Sequence, residues 1–297
     1  MTEPSVGDRV VVRRLLPSGQ ATDVIGTLEA DGDPLVVVRE GSRVPIPRAD
    51  VVAYKAIPAR PIRNRDIRAL TRAQARSWAS TERAEIDGWL CRSGGGLPGG
   101  RANSAAPLEP VDSLEGPRAW YADRGIPLQV QWVDRLMPGP RPELERPSGV
   151  FVVDPRAIAA RSERVSWDDG PPEAWLALQS GAATSAAWVS SVLGSVAFGS
   201  LTVGGATAAV ARLSLTRDGD TPDDGLLWSG IGSLVVGESF RRQGLATELV
   251  RDLAREALSR GADRCFLEVL DTNAPARAMY TALGFTQHHT YGYRLVP

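Results

Sequence analysis

The apolar run Leu234-Val235-Val236 stops at Gly237, and a strongly patterned helix begins a few residues later. Leu245, Leu249 and Leu253 recur at helical spacing with Ala246, Val250, Ala254, Ala257 and Leu258. Glu248, Arg251, Asp252, Arg255, Glu256 and Arg260 are assigned to the wet face, and Gly261 stands where a helix stop is expected. A strand that feeds a helix through a glycine-marked turn needs a sheet to sit in and a sheet face for the helix to cover. The turn also carries chemistry. The first main-chain amides of a helix have no intrahelical partner, and the helix dipole adds partial positive charge there, which makes a socket for phosphate. Gly244 and Ala246 let an anion approach the backbone, and Arg241 and Arg242 add full charge beside it.

The rest of the last third repeats this alternation. Strands are expected over Ser195 to Val203, Thr207 to Thr216, Leu227 to Val236, Arg264 to Leu270 and Thr290 to Val296, with a helix from Pro275 to Leu283. Residues 1–58 read differently: short valine-rich runs separated by Gly, Asp and Pro, including a turn at Glu40-Gly41-Ser42, predict a small all-β barrel of SH3-like size. Between these parts, residues 59–165 predict a helix over Asp66 to Trp78, strands at Gly88 to Arg92, Leu128 to Trp132 and Gly149 to Val153, and a glycine-rich hairpin loop over Ser93 to Ser104. That loop lacks a Gly-Lys-Ser/Thr ending, although Arg101 and Asn103 could face a ligand. A faint internal repeat links Arg118-Ala119-Trp120-Tyr121…Gly125 to Arg277-Ala278-Met279-Tyr280…Gly284. It suggests a second copy of one α/β unit in residues 59–165, without the anion-binding turn, beside the copy in 166–297.

Composition narrows the partners. The chain has 297 residues and a formal net charge of -1, which gives no argument for nucleic acid or an anionic membrane surface. The uncharged stretch from Ala174 to Ala211 is too rich in Ser, Thr, Ala and Gly to read as a membrane span. Cys91 and Cys265 lie far apart in apolar contexts and read as buried thiols, neither a disulfide nor a metal pair. Met-Thr-Glu-Pro shows no basic or apolar leader pattern, so a cytoplasmic location is expected. The carboxylates of Arg217 to Gly225 have no calcium-loop spacing, and the adjacent His288-His289 are expected on opposite faces of a strand, so no metal site is expected.

Arg241-x-x-Gly244-x-Ala246 between strand and helix, followed by Leu267-Glu268-Val269…Asn273…Ala276…Tyr280…Gly284-Phe285, resembles the two signature motifs of the GNAT N-acetyltransferases. The layout with an N-terminal barrel is similar to an actinobacterial GNAT group found in mycobacteria and corynebacteria. The resemblance implies a GNAT fold, a mixed α/β sheet flanked by helices, in tandem with a degenerate unit. It implies acetyl-CoA as co-substrate and an amine of a peptide, protein or small molecule as acceptor. On this resemblance the amides around Arg242, Gln243, Gly244, Leu245, Ala246 and Thr247 would cradle the CoA pyrophosphate, with Arg241 beside them. Leu234, Val235 and Val236 would offer strand-edge groups to the pantetheine arm, and Asn273 would bond that arm or cap the last helix. Tyr280 would protonate the departing thiolate, with a plain core tyrosine as the alternative. Glu268 would take the amine proton, ahead of Glu238, Asp223 and Asp224, or stand as an outward strand carboxylate. A non-catalytic acyl-CoA-binding module, or an interaction protein with a vestigial fold, would share the same socket.

Overall fold

The computed structural model describes residues 4–39, 42–58, 61–78, 80–95, 99–111, 113–179, 186–221 and 223–297. The chain divides into two compact units, Met1–Ile62 and Arg63–Pro297.

The first unit is all β. Strands β1 (Arg9–Leu15), β2 (Ala21–Asp31), β3 (Leu35–Arg39), β4 (Ser42–Ile46) and β5 (Val51–Ala56) form one antiparallel sheet in the order β4-β3-β2-β1-β5. Alternate residues of a strand face opposite sides, and here one side gathers Val10, Val12, Val24, Leu28, Leu35, Val37 and Ile46 into a core. The turn expected at Glu40-Gly41 lies outside the described residues.

The second unit opens with α1 (Asn64–Ser77), whose Asp66 carboxylate accepts from the Arg63 amide at 2.9 Å and so satisfies a free N–H at the helix start. Strands β6 (Glu82–Ile86), β7 (Trp89–Ser93) and β8 (Ala106–Pro107) make a small antiparallel sheet. Then come α2 (Glu115–Ala122), β9 (Gln129–Val133), β10 (Glu145–Val153), β11 (Val165–Asp168), α3 (Glu173–Leu178) and α4 (Ala186–Ser190). The last third holds β12 (Ser195–Val203), β13 (Ala206–Arg217), β14 (Leu227–Val236), α5 (Leu245–Ser259), β15 (Arg264–Leu270), α6 (Ala274–Ala282) and β16 (Thr286–Leu295).

Eight strands join in the order β11-β12-β13-β14-β15-β10-β16-β9, with β14 and β15 parallel and the other pairings antiparallel. The alternation of β13 divides its residues between two faces. Ala209, Ala211, Leu213 and Leu215 join the core under α5 with Leu249, Leu253 and Ala257. Arg212 and Thr216 turn to α1, bonding the carbonyls of Ser77 and Ala73. No helix among the described residues is long and apolar enough to cross a membrane.

Three expectations change. Residues 59–165 do not stand apart: β10 is inserted between β15 and β16, so the boundary expected at 165 falls inside one compact unit. Asp252, assigned to the wet face of α5, is fully buried, accepting from the Ser162 amide at 2.7 Å and Trp167 Nε1 at 2.8 Å. The cause is that β11 and the segment before it cover that side of the helix. The last strand starts at Thr286 and includes both histidines; the pairing of β16 with β10 shifts register between His289 and Gln287, leaving His288 as an extra residue. That bulge turns the two rings toward each other, Nδ1 to Nδ1 at 2.9 Å, in place of the expected opposite faces.

Candidate active site

The parallel pair β14 and β15 is joined only from Trp228↔Arg264 to Ile231↔Leu267. Beyond that point the strands part. The register of β13 against β14 shifts between Val210 and Arg212, and Ser233 takes φ 52°, so β14 bends away. Its edge from Gly232 to Val236 and that of β15 from Glu268 to Leu270 then face a cleft of about 600 Å³. Such unpaired edges hold main-chain donors and acceptors that need partners, and an amide-bearing chain laid between them would supply these.

Leu234, Val236, Arg241, Ala246, Asn273 and Tyr280 all line this cleft, as does Glu268. Val235 does not. It alternates to the other face and packs against the cluster around Trp175. Arg242, Gln243 and Gly244 are exposed between Arg241 and Ala246, while Leu245 is buried in the core beneath the turn and Thr247 is half-buried. Gly244 has φ 77°, and a Cβ built on it would meet nothing within 4 Å. Glycine is needed here for the left-handed backbone rather than for lack of room. Glu248 in the first turn of α5 would oppose an anion, but Arg164 Nε holds its carboxylate at 3.0 Å and Ser162 Oγ at 2.6 Å. The ion pair with Arg164 keeps that carboxyl below the usual range.

Asn273 caps α6, accepting from the Ala276 amide at 3.2 Å while lining the cleft, so its capping role and a contact role coexist. Tyr280 packs edge-on against Phe285, and burial pushes its phenol up to about 12. Its counterpart in the internal repeat is engaged: the Tyr121 hydroxyl donates to the Arg92 carbonyl at 2.8 Å and accepts from the Arg92 amide at 3.1 Å. No hydrogen bond among the described residues occupies the Tyr280 hydroxyl.

Glu268 sits on β15 where the strands part, with its side chain only 3% exposed. Oε1 accepts from Gln74 Nε2 and from Trp78 Nε1, the latter at 3.0 Å. Arg101 Nε lies 3.0 Å from Oε2, and its guanidinium stacks over Trp78 at 4.4 Å. Burial pulls the Arg101 pKa down, and Tyr291 and Glu268 more than reverse this, so it stays charged. On the α1 side of the sheet the Arg212 guanidinium lies 5.6 Å from the Trp78 ring; burial pulls it down to about 10 against the pull of Glu268.

Of this environment the sequence pointed to Arg101 alone. Gln74 and Ser77 were legible as polar residues on the stripe set by Ile67 and Leu70, an unusual place for them. Nothing in the sequence connected them to Glu268. Asn103 faces elsewhere, accepting from the Gly94 amide at 2.8 Å. Asp223, Asp224 and Glu238 are outside the cleft, and Asp224 bonds the Gly225 amide within its loop.

Comparison with known proteins shows the family and the fold. Residues 64–294 match the family model described as "Probable histone acetyltransferase Rv0428c C-terminal", and residues 4–55 match "Rv0428c N-terminal Sm-like domain". The probable histone acetyltransferase Rv0428c of Mycobacterium tuberculosis is 34% identical over 296 residues, covering 96% of this chain and 94% of the relative. The chain belongs to this GNAT acetyltransferase family. The uncharacterized N-acetyltransferase YobR of Bacillus subtilis is 34% identical over 68 residues, 23% of this chain and 28% of that protein. The acetyltransferase fold extends over most of the chain. A GCN5-related N-acetyltransferase from Kribbella flavida superposes with TM-score 0.58 at 17% identity, covering 78% of this chain and 95% of the other. A putative GNAT acetyltransferase from Novosphingobium aromaticivorans gives 0.51 at 17% identity, covering 76% and 97%. The first unit, expected as SH3-like, matches a family described as Sm-like, another small β-sheet module.

Proposed function

We propose that the protein is an acetyl-CoA-dependent N-acetyltransferase that passes the acetyl group directly to a primary amine. The observation that carries this reading is the cleft between the parted β14 and β15, which runs from Arg241 and Ala246 at the start of α5 to Glu268 and Tyr280. Pyrophosphate fits the outer end, where the amides of the turn and the first residues of α5 meet Arg241 and Arg242. The pantetheine amides fit the free edge of β14 at Leu234 to Val236. The thioester then lies near Glu268.

The chemistry follows from these positions. The acceptor amine loses a proton to Glu268, directly or through a water, and its nitrogen attacks the thioester carbonyl carbon. The carbon–sulfur bond breaks, and Tyr280 gives its phenolic proton to the departing thiolate. The buried, unpaired phenol suits an acid, because its raised pKa keeps it protonated at neutral pH. The acceptor is a primary amine of a peptide, a protein or a small molecule.

Titration calorimetry with acetyl-CoA, followed by release of CoA thiol against a panel of amines, tests this function. Micromolar binding and amine-dependent thiol release are expected. Binding without release toward any amine would leave an acyl-CoA-binding module instead, and absence of binding would remove the cofactor.

A further inference from the structure

Buried polar atoms without a partner gather around Glu268. Gln74 Oε1 and Arg212 Nε are buried and make no hydrogen bond, and Glu268 Oε2 is buried with only the Arg101 Nε of its ion pair facing it. Folded proteins leave few such atoms, so a concentration in one place marks a site that a ligand or water completes. Two of these atoms are pure acceptors, Glu268 Oε2 and Gln74 Oε1, and an amine supplies the missing donors.

The charge of the site is not balanced. Arg101 and Arg212 both act on Glu268, and the charged groups acting on Arg212 are Glu268 and Arg101 themselves. Around Arg101 the remaining groups are Tyr291 and Tyr293, which are neutral phenols because burial raises both. Two cations and one carboxylate leave an excess positive charge in a poorly solvated place, which favours an anionic group on whatever binds there. Arg101 is the cation at the mouth. It lines the cleft beside Glu268, and its side chain is 31% exposed. Its Nε is turned to Glu268 and its guanidinium also meets the Tyr291 hydroxyl, which leaves further N–H groups of the fork for a ligand. The face of Trp78, where a long-chain ammonium would stack, is already covered by the Arg101 guanidinium.

We propose that the acceptor is a small amine bearing its own carboxylate, of the build of an α-amino acid, with its amine on Glu268 Oε2 and its carboxylate on the Arg101 guanidinium. This rests on the acetyl-transfer reading and names its substrate class. The two groups stand side by side, Arg101 Nε 3.0 Å from Glu268 Oε2, so a ligand that spans them carries its amine and its carboxylate close together, as an α-amino acid does. The carboxylate also serves the reaction. It draws the Arg101 charge away from Glu268, leaving that carboxylate freer to take the amine proton. Arg212 remains as a fixed positive charge that disfavours the ammonium form of the acceptor.

The test measures thiol release at saturating acetyl-CoA with the common amino acids, with their amides, which keep the amine and side chain but lack the carboxylate, and with a lysine-rich peptide. At least one amino acid is expected to exceed its amide in kcat/KM by about 10- to 100-fold, the range for loss of a charge-assisted hydrogen bond. Arg101→Met should collapse that ratio through KM, and Arg101→Lys should restore part of it. Amides or the peptide reacting as well as the free amino acids, or a ratio that Arg101→Met leaves intact, overturns the proposal. Should acetyl-CoA bind without transfer to any amine, the transferase reading fails separately. Calorimetry of the same amino acids into CoA-saturated protein then decides: carboxylate-dependent binding lost in Arg101→Met supports the site, and its absence refutes it.

Discussion

Trp78 Nε1 donates a hydrogen bond to Glu268 Oε1 at 3.0 Å across 190 residues of chain. The donor stands at the end of a helix in the first half of the unit, and the acceptor on a strand that lines the cleft. A carboxylate held this way keeps one orientation, with Oε2 on the Arg101 side. Replacing Trp78 by Phe keeps most of the packing and removes the N–H. We expect kcat to fall by about tenfold, the scale of one hydrogen bond to a charged group, with acetyl-CoA affinity within about twofold. A Trp78→Phe enzyme with unchanged kcat would show that the orientation of Glu268 is immaterial.

Gly244 combines a left-handed backbone with open space on its Cα. Gly244→Ala strains the turn, at about 1 kcal/mol, and Gly244→Glu adds a negative charge where the pyrophosphate is placed. Calorimetry should show a severalfold loss of acetyl-CoA affinity for Ala and a loss of more than about 100-fold for Glu. Equal affinities across the three proteins would move the pyrophosphate elsewhere.

Tyr280 should act as an acid over a wide pH range. A phenol donates only when protonated, and burial raises this one to about 12. Its protonated fraction therefore stays near one from neutral pH to about 10, so kcat should show no alkaline decline from this group in that window. Tyr280→Phe is expected to lower kcat by about 10²-fold with little change in acetyl-CoA binding. An alkaline limb below pH 10 that vanishes in Tyr280→Phe would contradict the assignment.

The His288–His289 pair predicts acid sensitivity of the fold. Burial lowers His288 to about 4 and, with His288 as neighbour, His289 to about 3, from 6.5. A depressed pKa contributes stability that is present above the unfolded value and is lost as pH falls through the folded one. Stability should therefore decline from pH 6.5 down to about 3, on the order of a few kcal/mol. Urea midpoints at pH 7 and 4.5 measure this. The double replacement His288→Gln, His289→Gln should flatten the difference, and an undiminished difference would place the acid lability elsewhere.

Both cysteines should be silent in the folded protein. Cys91 and Cys265 are free and buried, and burial pushes both thiols up to about 12. An aromatic disulfide reagent should detect no thiol in the native chain and two per chain in guanidinium. Thiol release from acetyl-CoA can then be counted without background. Rapid labelling of the native protein would mean that one of these strands opens readily.

The sequence alone determined the elements whose causes are local. The 3.6-residue repeat of Leu245, Leu249 and Leu253 produced α5, and Gly244 produced its left-handed start. The spacing of Glu268, Asn273 and Tyr280 placed all three on one cleft wall, because a strand, a cap and a helix follow each other there without interruption. Only the tertiary structure decided what surrounds Glu268. Gln74, Trp78 and Arg101 reach it because α1 packs on β13 and β10 enters the sheet beside β15, pairings between segments far apart in the chain. Such long-range pairings leave no periodic trace, since each partner satisfies its own local pattern. The same cause buried Asp252 under β11 and turned His288 toward His289 at a bulge, where the alternation that sequence reading relies on is broken by one residue.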